Sequence, residues 1–106
     1  MKKPPGGMEP PKAFAVELGA SWRRWAKRRS DSELEQINSR LNEVCDGFGK
    51  PHLHAGLGLR RLGRGIFEFR ISKAVRVVFL FIRPNTFRLA MTGSHDEVSA
   101  WLKENA

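Results

Sequence analysis

The chain is 106 residues long and 41% hydrophobic, with seven Phe, three Trp, a single Cys and a formal net charge of +8 at pH 7. That length makes one domain around one modest core, the lone cysteine excludes an internal disulfide, and no apolar run approaches a membrane span or a secretory signal. The expectation is a soluble cytoplasmic protein with no membrane partner, whose positive charge favours a polyanion, nucleic acid foremost.

Residues 1–12 hold four of the six prolines and little apolar bulk, which predicts a disordered leader ahead of one domain over residues 13–106. Phe14, Val16 and Leu18 alternate with Ala13, Ala15 and Glu17, the period of a short strand. Ser21 is placed to cap a first helix carrying Trp22, Trp25 and Ala26. After a polar break, Ser30 and Glu33 have the spacing of a capping box for a second helix. Leu34, Ile37, Leu41, Val44 and Cys45 mark its buried stripe, and Gly47 suits its end. Cys45 is there a small core residue rather than a nucleophile.

Beyond Lys50-Pro51 the pattern changes to strands over residues 57–62, 66–71, 75–82 and 86–92, with connections short enough for antiparallel hairpins. Phe67, Phe69, Ile71, Val75, Val77, Phe79, Phe81, Phe87, Leu89 and Met91 are expected to share the face that meets the helices. Alternation sends Glu68, Arg70, Arg76 and Arg88 to the opposite face. Val78, Leu80 and Ile82 point there too, so part of that face must be covered, by the last helix or by a partner. That helix opens at Ser94, has a second capping box with Glu97, and buries Val98, Trp101 and Leu102. The predicted class is α+β: an N-terminal strand and a helical hairpin packed on a twisted antiparallel sheet, closed by a short C-terminal helix.

Charge is concentrated on the sheet. Residues 47–92 carry nine Lys or Arg against one acid, Glu68. Arg60, Arg61, Arg64, Lys73 and Arg88 are candidate contacts to an RNA backbone. His54, Arg70, Arg76 and His95 form the set with chemical potential. Cleavage of RNA by its own 2′-hydroxyl needs a base, an acid for the 5′-oxygen and fixed positive charge beside the phosphate, with no metal or other cofactor required. Histidine titrates near neutrality and so suits both proton roles, and arginine offers a permanent planar fork. His95 follows a predicted helix N-cap, where an anion is favoured. The bland alternatives are surface histidines and a solvated or ion-paired strand face. His52 and His54, two apart, would face one side of an extended segment as two metal ligands could, but no third ligand accompanies them and no metal site is predicted. Gly56 and Gly58 read as a turn.

Three segments together resemble the RelE/ParE superfamily of bacterial type II toxins. They are Pro51-His52-Leu53-His54 leading into Gly58-Leu59-Arg60-Arg61-Leu62, the hairpin Phe67-Glu68-Phe69-Arg70-Ile71 to Val75-Arg76-Val77-Val78-Phe79, and Gly93-Ser94-His95-Asp96-Glu97-Val98. The resemblance spans about residues 13–102. It implies a microbial-ribonuclease-like fold, ribosome-dependent cleavage of mRNA, and a cognate antitoxin that covers the basic face. By position it maps catalytic roles onto Arg76, Arg70, His95 and the segment holding His54, while a basic family position falls on Glu68. The tyrosine many relatives use is missing, and Trp101, near its place, is expected in the core. Arg76→Ala should then abolish growth arrest and leave melting nearly unchanged. The alternatives are a non-catalytic, ParE-like inhibitor of DNA gyrase and a degenerate RNA-binding relative.

Overall fold

The computed structural model describes residues 14–105, so the leader expected over residues 1–12 lies outside the described residues. The elements run β1 (Ala15–Leu18), α1 (Trp22–Ala26), α2 (Asp31–Gly47), α3 (Pro51–Leu57), β2 (Arg60–Gly63), β3 (Ile66–Arg70), β4 (Arg76–Ile82), β5 (Thr86–Gly93) and α4 (His95–Asn105). The strands form one five-stranded sheet in the order β1-β5-β4-β3-β2. Short turns make β2 to β5 an antiparallel meander. The sheet is nevertheless mixed, because β1 pairs parallel to β5. The α1–α3 segment supplies the long crossover that a parallel pair requires.

β1 is an edge strand with Val16 and Leu18 exposed. Bonds from Ala15 N–H to the Asn85 carbonyl (2.9 Å) and from Gly19 N–H to the Leu89 carbonyl (2.8 Å) fasten its ends. Just before it, the Phe14 ring stacks on Phe87 with centroids 4.5 Å apart. α2 begins with the capping box expected at Ser30: its side chain accepts from Glu33 N–H while Glu33 accepts from Ser30 N–H. Ser21, by contrast, makes no side-chain cap on the single-turn α1. Gly47 does not stop α2 but is its last, buried residue, since a Cβ there would lie 2.8 Å from Leu57 Cδ1 of α3. The helix ends at Phe48, whose extended backbone turns the ring towards Phe67, Phe79, Phe81 and Phe87.

The segment around His52 and His54, whose reading as a metal pair is conditional on extended chain, is the helix α3. Pro51 occupies its first turn, where no N–H is needed, and Gly58 stops it in the left-handed region at φ 66°. Two residues along a helix are rotated by about 200°, so His52 and His54 do not share a side. A second departure comes from a bulge in β5. Val78 pairs with Met91 but Phe79 with Leu89, leaving Ala90 as the extra residue. The shift moves Met91 from the face packed on the N-terminal helices to the opposite one.

Two cores result. Trp22, Ile37, Leu41, Val44, Leu59, Phe69, Val77, Phe79, Phe87 and Leu89 fill the space between the sheet and the N-terminal helices. On the reverse face Ile66, Val78, Met91 and Val98 pack with Trp25, Leu62, Leu80, Trp101 and Leu102. α4 therefore covers the apolar part of the face that alternation left open, and Trp101 packs there.

The Ser94–Glu97 box at the head of α4 is also formed: Ser94 N–H donates to Glu97 Oε1 at 2.8 Å and Glu97 N–H to Ser94 Oγ at 3.2 Å. Arg28 bonds the other carboxylate oxygen at 2.9 Å. The Ser94 backbone bond, helped by Arg28 and opposed by partial burial, holds the Glu97 carboxyl below its ordinary value. A carboxyl depressed in the folded state adds stability above its unfolded titration range and loses it as pH falls through the folded value. Glu97→Gln keeps an acceptor for Ser94 and removes the charge. Wild type is expected to melt above this variant at neutral pH, and the two melting curves to converge on acidification below the folded Glu97 titration.

Candidate functional site

A cleft of about 450 Å³ is lined by His54, Ala55, Gly58, Leu59, Arg60, Glu68, Arg70, Arg76 and His95. Strand register builds most of it. Arg70 pairs directly with Arg76, and Glu68 lies opposite Arg60, so four charged side chains occupy adjoining positions on one face. Like charges directly across a strand pair are destabilising, and an anion between them removes that penalty. The same register sets Gly93, the last residue of β5, opposite Arg76. The chain then turns into α4, which delivers His95 to the cleft from its first helical position. Thr92 Oγ1 donates to the Arg76 carbonyl at 2.8 Å and holds the two strands together there.

His54 arrives from the last turn of α3. The left-handed Gly58 ends that helix against Arg70: a Cβ at Gly58 would sit 3.2 Å from Arg70 Cβ and 3.3 Å from its backbone nitrogen. A residue with no side chain, and tolerant of positive φ, lets the helix end approach the strand this closely.

Glu68 organises the charges. Its side chain is 2% exposed, and its Oε2 accepts from Arg60 Nε at 2.7 Å and from Arg76 Nη1 at 3.1 Å. Arg76, itself 14% exposed, is thereby fixed in orientation, whereas Arg60 remains 61% exposed. Among the described residues, Arg76 Nε and His54 Nε2 are buried without a hydrogen-bond partner. Buried polar atoms are rarely left unpaired. In a cleft with three arginines and one carboxylate, an entering phosphate oxygen is the acceptor that suits the Arg76 group. The arrangement can hold a phosphodiester on fixed arginine donors with two imidazoles beside it.

His54, His95, Arg70 and Arg76, the four side chains singled out for chemistry, thus line one cleft. Of the five assigned to RNA contact, Arg60 joins that cleft, and Lys73 lines a neighbouring hollow that shares Ala55, Gly58 and Arg70 with it. Arg61 and Arg64 border a separate hollow. Arg88 stands apart on β5, bonded to Glu17 of β1 at 2.9 Å. The sequence alone places Glu68 on the face of Arg70 and Arg76, as the one acid of the basic stretch and at a basic family position, but assigns it no role. Its alternation with Arg70 and Arg76 was the available signal, but the two ion pairs depend on register across three strands. Among the described residues no group of three or more His, Cys, Asp or Glu could hold a metal ion, and no helix is long and apolar enough to cross a membrane.

No protein-family model matches the chain, and no curated protein matches its sequence. Solved structures do match. A double-arginine variant of the E. coli toxin RelE, in the free state, superposes with a TM-score of 0.66 at 14% identity, over 90% of this chain and all (100%) of that one. E. coli YafQ gives 0.60 at 14% identity, over 81% and 98% of the two chains, and the intact E. coli RelBE toxin–antitoxin complex gives 0.59 at 17%, over 77% and 96%.

The fold is that of the RelE-like type II toxins.

On this RelE-like scaffold the chain carries no tyrosine. Trp101 is half-buried against the second core, and the side chains lining the cleft include two histidines, His54 and His95.

Proposed function

We propose that this chain is the toxin of a type II toxin–antitoxin module and acts in the cytoplasm as a ribosome-dependent mRNA endoribonuclease that blocks translation. The observation that carries this reading is the convergence of His54, His95, Arg70 and Arg76 on one cleft of a RelE-like fold. Arg76 and Arg70 hold the scissile phosphate and neutralise the charge that builds on it in the pentacoordinate transition state. His54 and His95 divide the proton work. One imidazole takes the 2′-hydroxyl proton as the oxygen attacks phosphorus, and the other gives a proton to the departing 5′-oxygen. The products are a 2′,3′-cyclic phosphate and a free 5′-hydroxyl. Each such transfer is typically worth roughly 10² to 10⁴ in rate, and the arginines supply the charge that a metal would otherwise provide. The positive sheet docks on ribosomal RNA, and an antitoxin covers the cleft between episodes of activity. Toxin–antitoxin pairs among the structural neighbours, RelBE and DinJ–YafQ, support that partner.

Primer-extension mapping of a cellular transcript after brief induction, with and without active translation, tests the activity. Translation-dependent breaks inside coding regions are expected, and they should vanish in a His54→Ala, His95→Ala double variant. Intact transcripts alongside growth arrest would overturn the nuclease and point to gyrase.

A further inference from the structure

Arg60 and Arg61 are neighbours in β2, but strand alternation sends them to opposite faces. Arg60 pairs across to Glu68 and enters the cleft, while Arg61 pairs across to Phe67 on the other face. There a second hollow, of about 640 Å³, is lined by Arg61, Arg64, Gly65, Phe67, Phe81 and Arg83. Its chemistry differs from that of the cleft. Three arginines from β2, the β2–β3 turn and the β4–β5 turn are all exposed, and no acid lines it. Among the described residues, none of the three has a carboxylate within ion-pair distance.

The floor is aromatic and rigid. Phe67 stacks on Phe79 at 5.6 Å and meets the edge of Phe48 at 5.2 Å, while Phe81 lies 4.9 Å from Phe48. Both floor residues are only half-buried, and part of each faces the hollow. The rim is tied to the floor through the backbone, because Phe81 N–H donates to the Gly65 carbonyl at 2.9 Å. Gly65 turns at φ 68°, and Arg64 before it lines the same hollow as Phe81.

We propose that this hollow is a second RNA subsite, in which an unpaired base stacks on Phe67 and Phe81 while Arg61, Arg64 and Arg83 hold the flanking phosphates. Base–aromatic stacking tolerates any sequence, and arginine forks match phosphate oxygens. Acidic side chains would satisfy the arginines but offer no aromatic face to the two rings. β2 is the outermost strand, so an RNA strand seated at Arg60 can continue around a single sheet edge to Arg61. The site deepens the function proposed above and rests on the chain acting on RNA. Its test measures binding, so the two can fail separately.

The probe is a short fluorescein-labelled single-stranded oligouridylate, titrated by anisotropy against the full chain and its Arg64→Ala, Arg83→Ala double variant. Both changes lie on exposed turns outside the cleft and are expected to leave the fold intact by circular dichroism. Affinity is expected to fall about tenfold, and the slope of log affinity against log salt to become shallower by about 0.7 for each phosphate no longer neutralised. An abasic oligomer of the same length and charge is expected to bind wild type several-fold more weakly than the uridylate, because it cannot stack. Unchanged affinity and salt slope in the double variant would overturn the subsite even if transcripts are cut in cells. An oligoglutamate of matched charge that binds as tightly as the uridylate would overturn it in favour of an acidic protein segment. A wild-type chain that cuts no transcript, yet whose double variant binds the uridylate more weakly as expected, would sink the nuclease and leave the subsite standing.

Discussion

Arg76→Ala is expected to lower RNA cleavage by roughly 10²- to 10³-fold, the usual consequence of removing one preorganised donor at a site of developing charge. Arg76 is the cleft arginine with the least freedom. Its side chain is 14% exposed, Nη1 is bonded to Glu68 at 3.1 Å, and Nε is buried without a partner among the described residues. Such a group loses little further entropy when a phosphate arrives. Arg76→Lys retains a charge but not the planar fork, so it should recover only part of the lost rate. The structure also changes the stability expected of Arg76→Ala. As an exposed strand residue Arg76 would leave melting unaffected. Here its removal deletes one of two charge-assisted bonds to a buried carboxylate, at a cost of about 1.5–3 kcal/mol. Cleavage must therefore be compared at a temperature where circular dichroism shows the variant folded. Wild-type cleavage by the folded alanine variant would remove Arg76 from the mechanism.

Glu68→Ala is expected to be the most damaging change to stability in the cleft, at about 3 kcal/mol, near the lower end of the range for breaking a buried ion pair by deleting one partner. The lower end applies because Arg60, 61% exposed, can turn its charge to solvent, whereas Arg76 cannot. For a domain of this size that loss lowers the melting temperature by something on the order of 15 °C. Without Glu68, Arg60, Arg70 and Arg76 repel one another across adjoining strands. An anion in the cleft relieves that repulsion, so oligonucleotide or inorganic phosphate should raise the variant's melting temperature more than the wild type's. Calorimetry with and without phosphate checks both parts. A variant as stable as wild type would mean that Glu68 does not hold the arginines in place. A destabilised variant indifferent to phosphate would mean that the cleft is not an anion site.

How far the candidate site can be read from residues alone differs among its members. Arg70, Arg76 and His95 came from local rules, alternation along a strand and the position after a helix cap, whereas His54 came from its residue type and the family resemblance. Their meeting in one cleft required Gly93 to pair with Arg76 and Gly58 to pass Arg70 closely, and both are contacts between distant parts of the chain. Glu68 shows the gap most clearly. Its face was readable, but its role depends on Arg60 lying opposite it in β2 and Arg76 lying diagonally from it in β4, where Val78 is its direct partner.

The amino-acid sequence by itself determined the features set by interactions a few residues long. These include both capping boxes, the amphipathic stripe of α2, the hairpin turns and the concentration of charge between residues 47 and 92. Such features are local, so their energies depend on spacing along the chain. Tertiary structure alone decided the parallel pairing of β1, the face taken by Met91 after the bulge, and the sharing of one carboxylate by Arg60 and Arg76. Each of these balances weak local preference against burial or pairing with a segment far away in sequence, and the free energy of those distant contacts exists only once the chain has closed on itself.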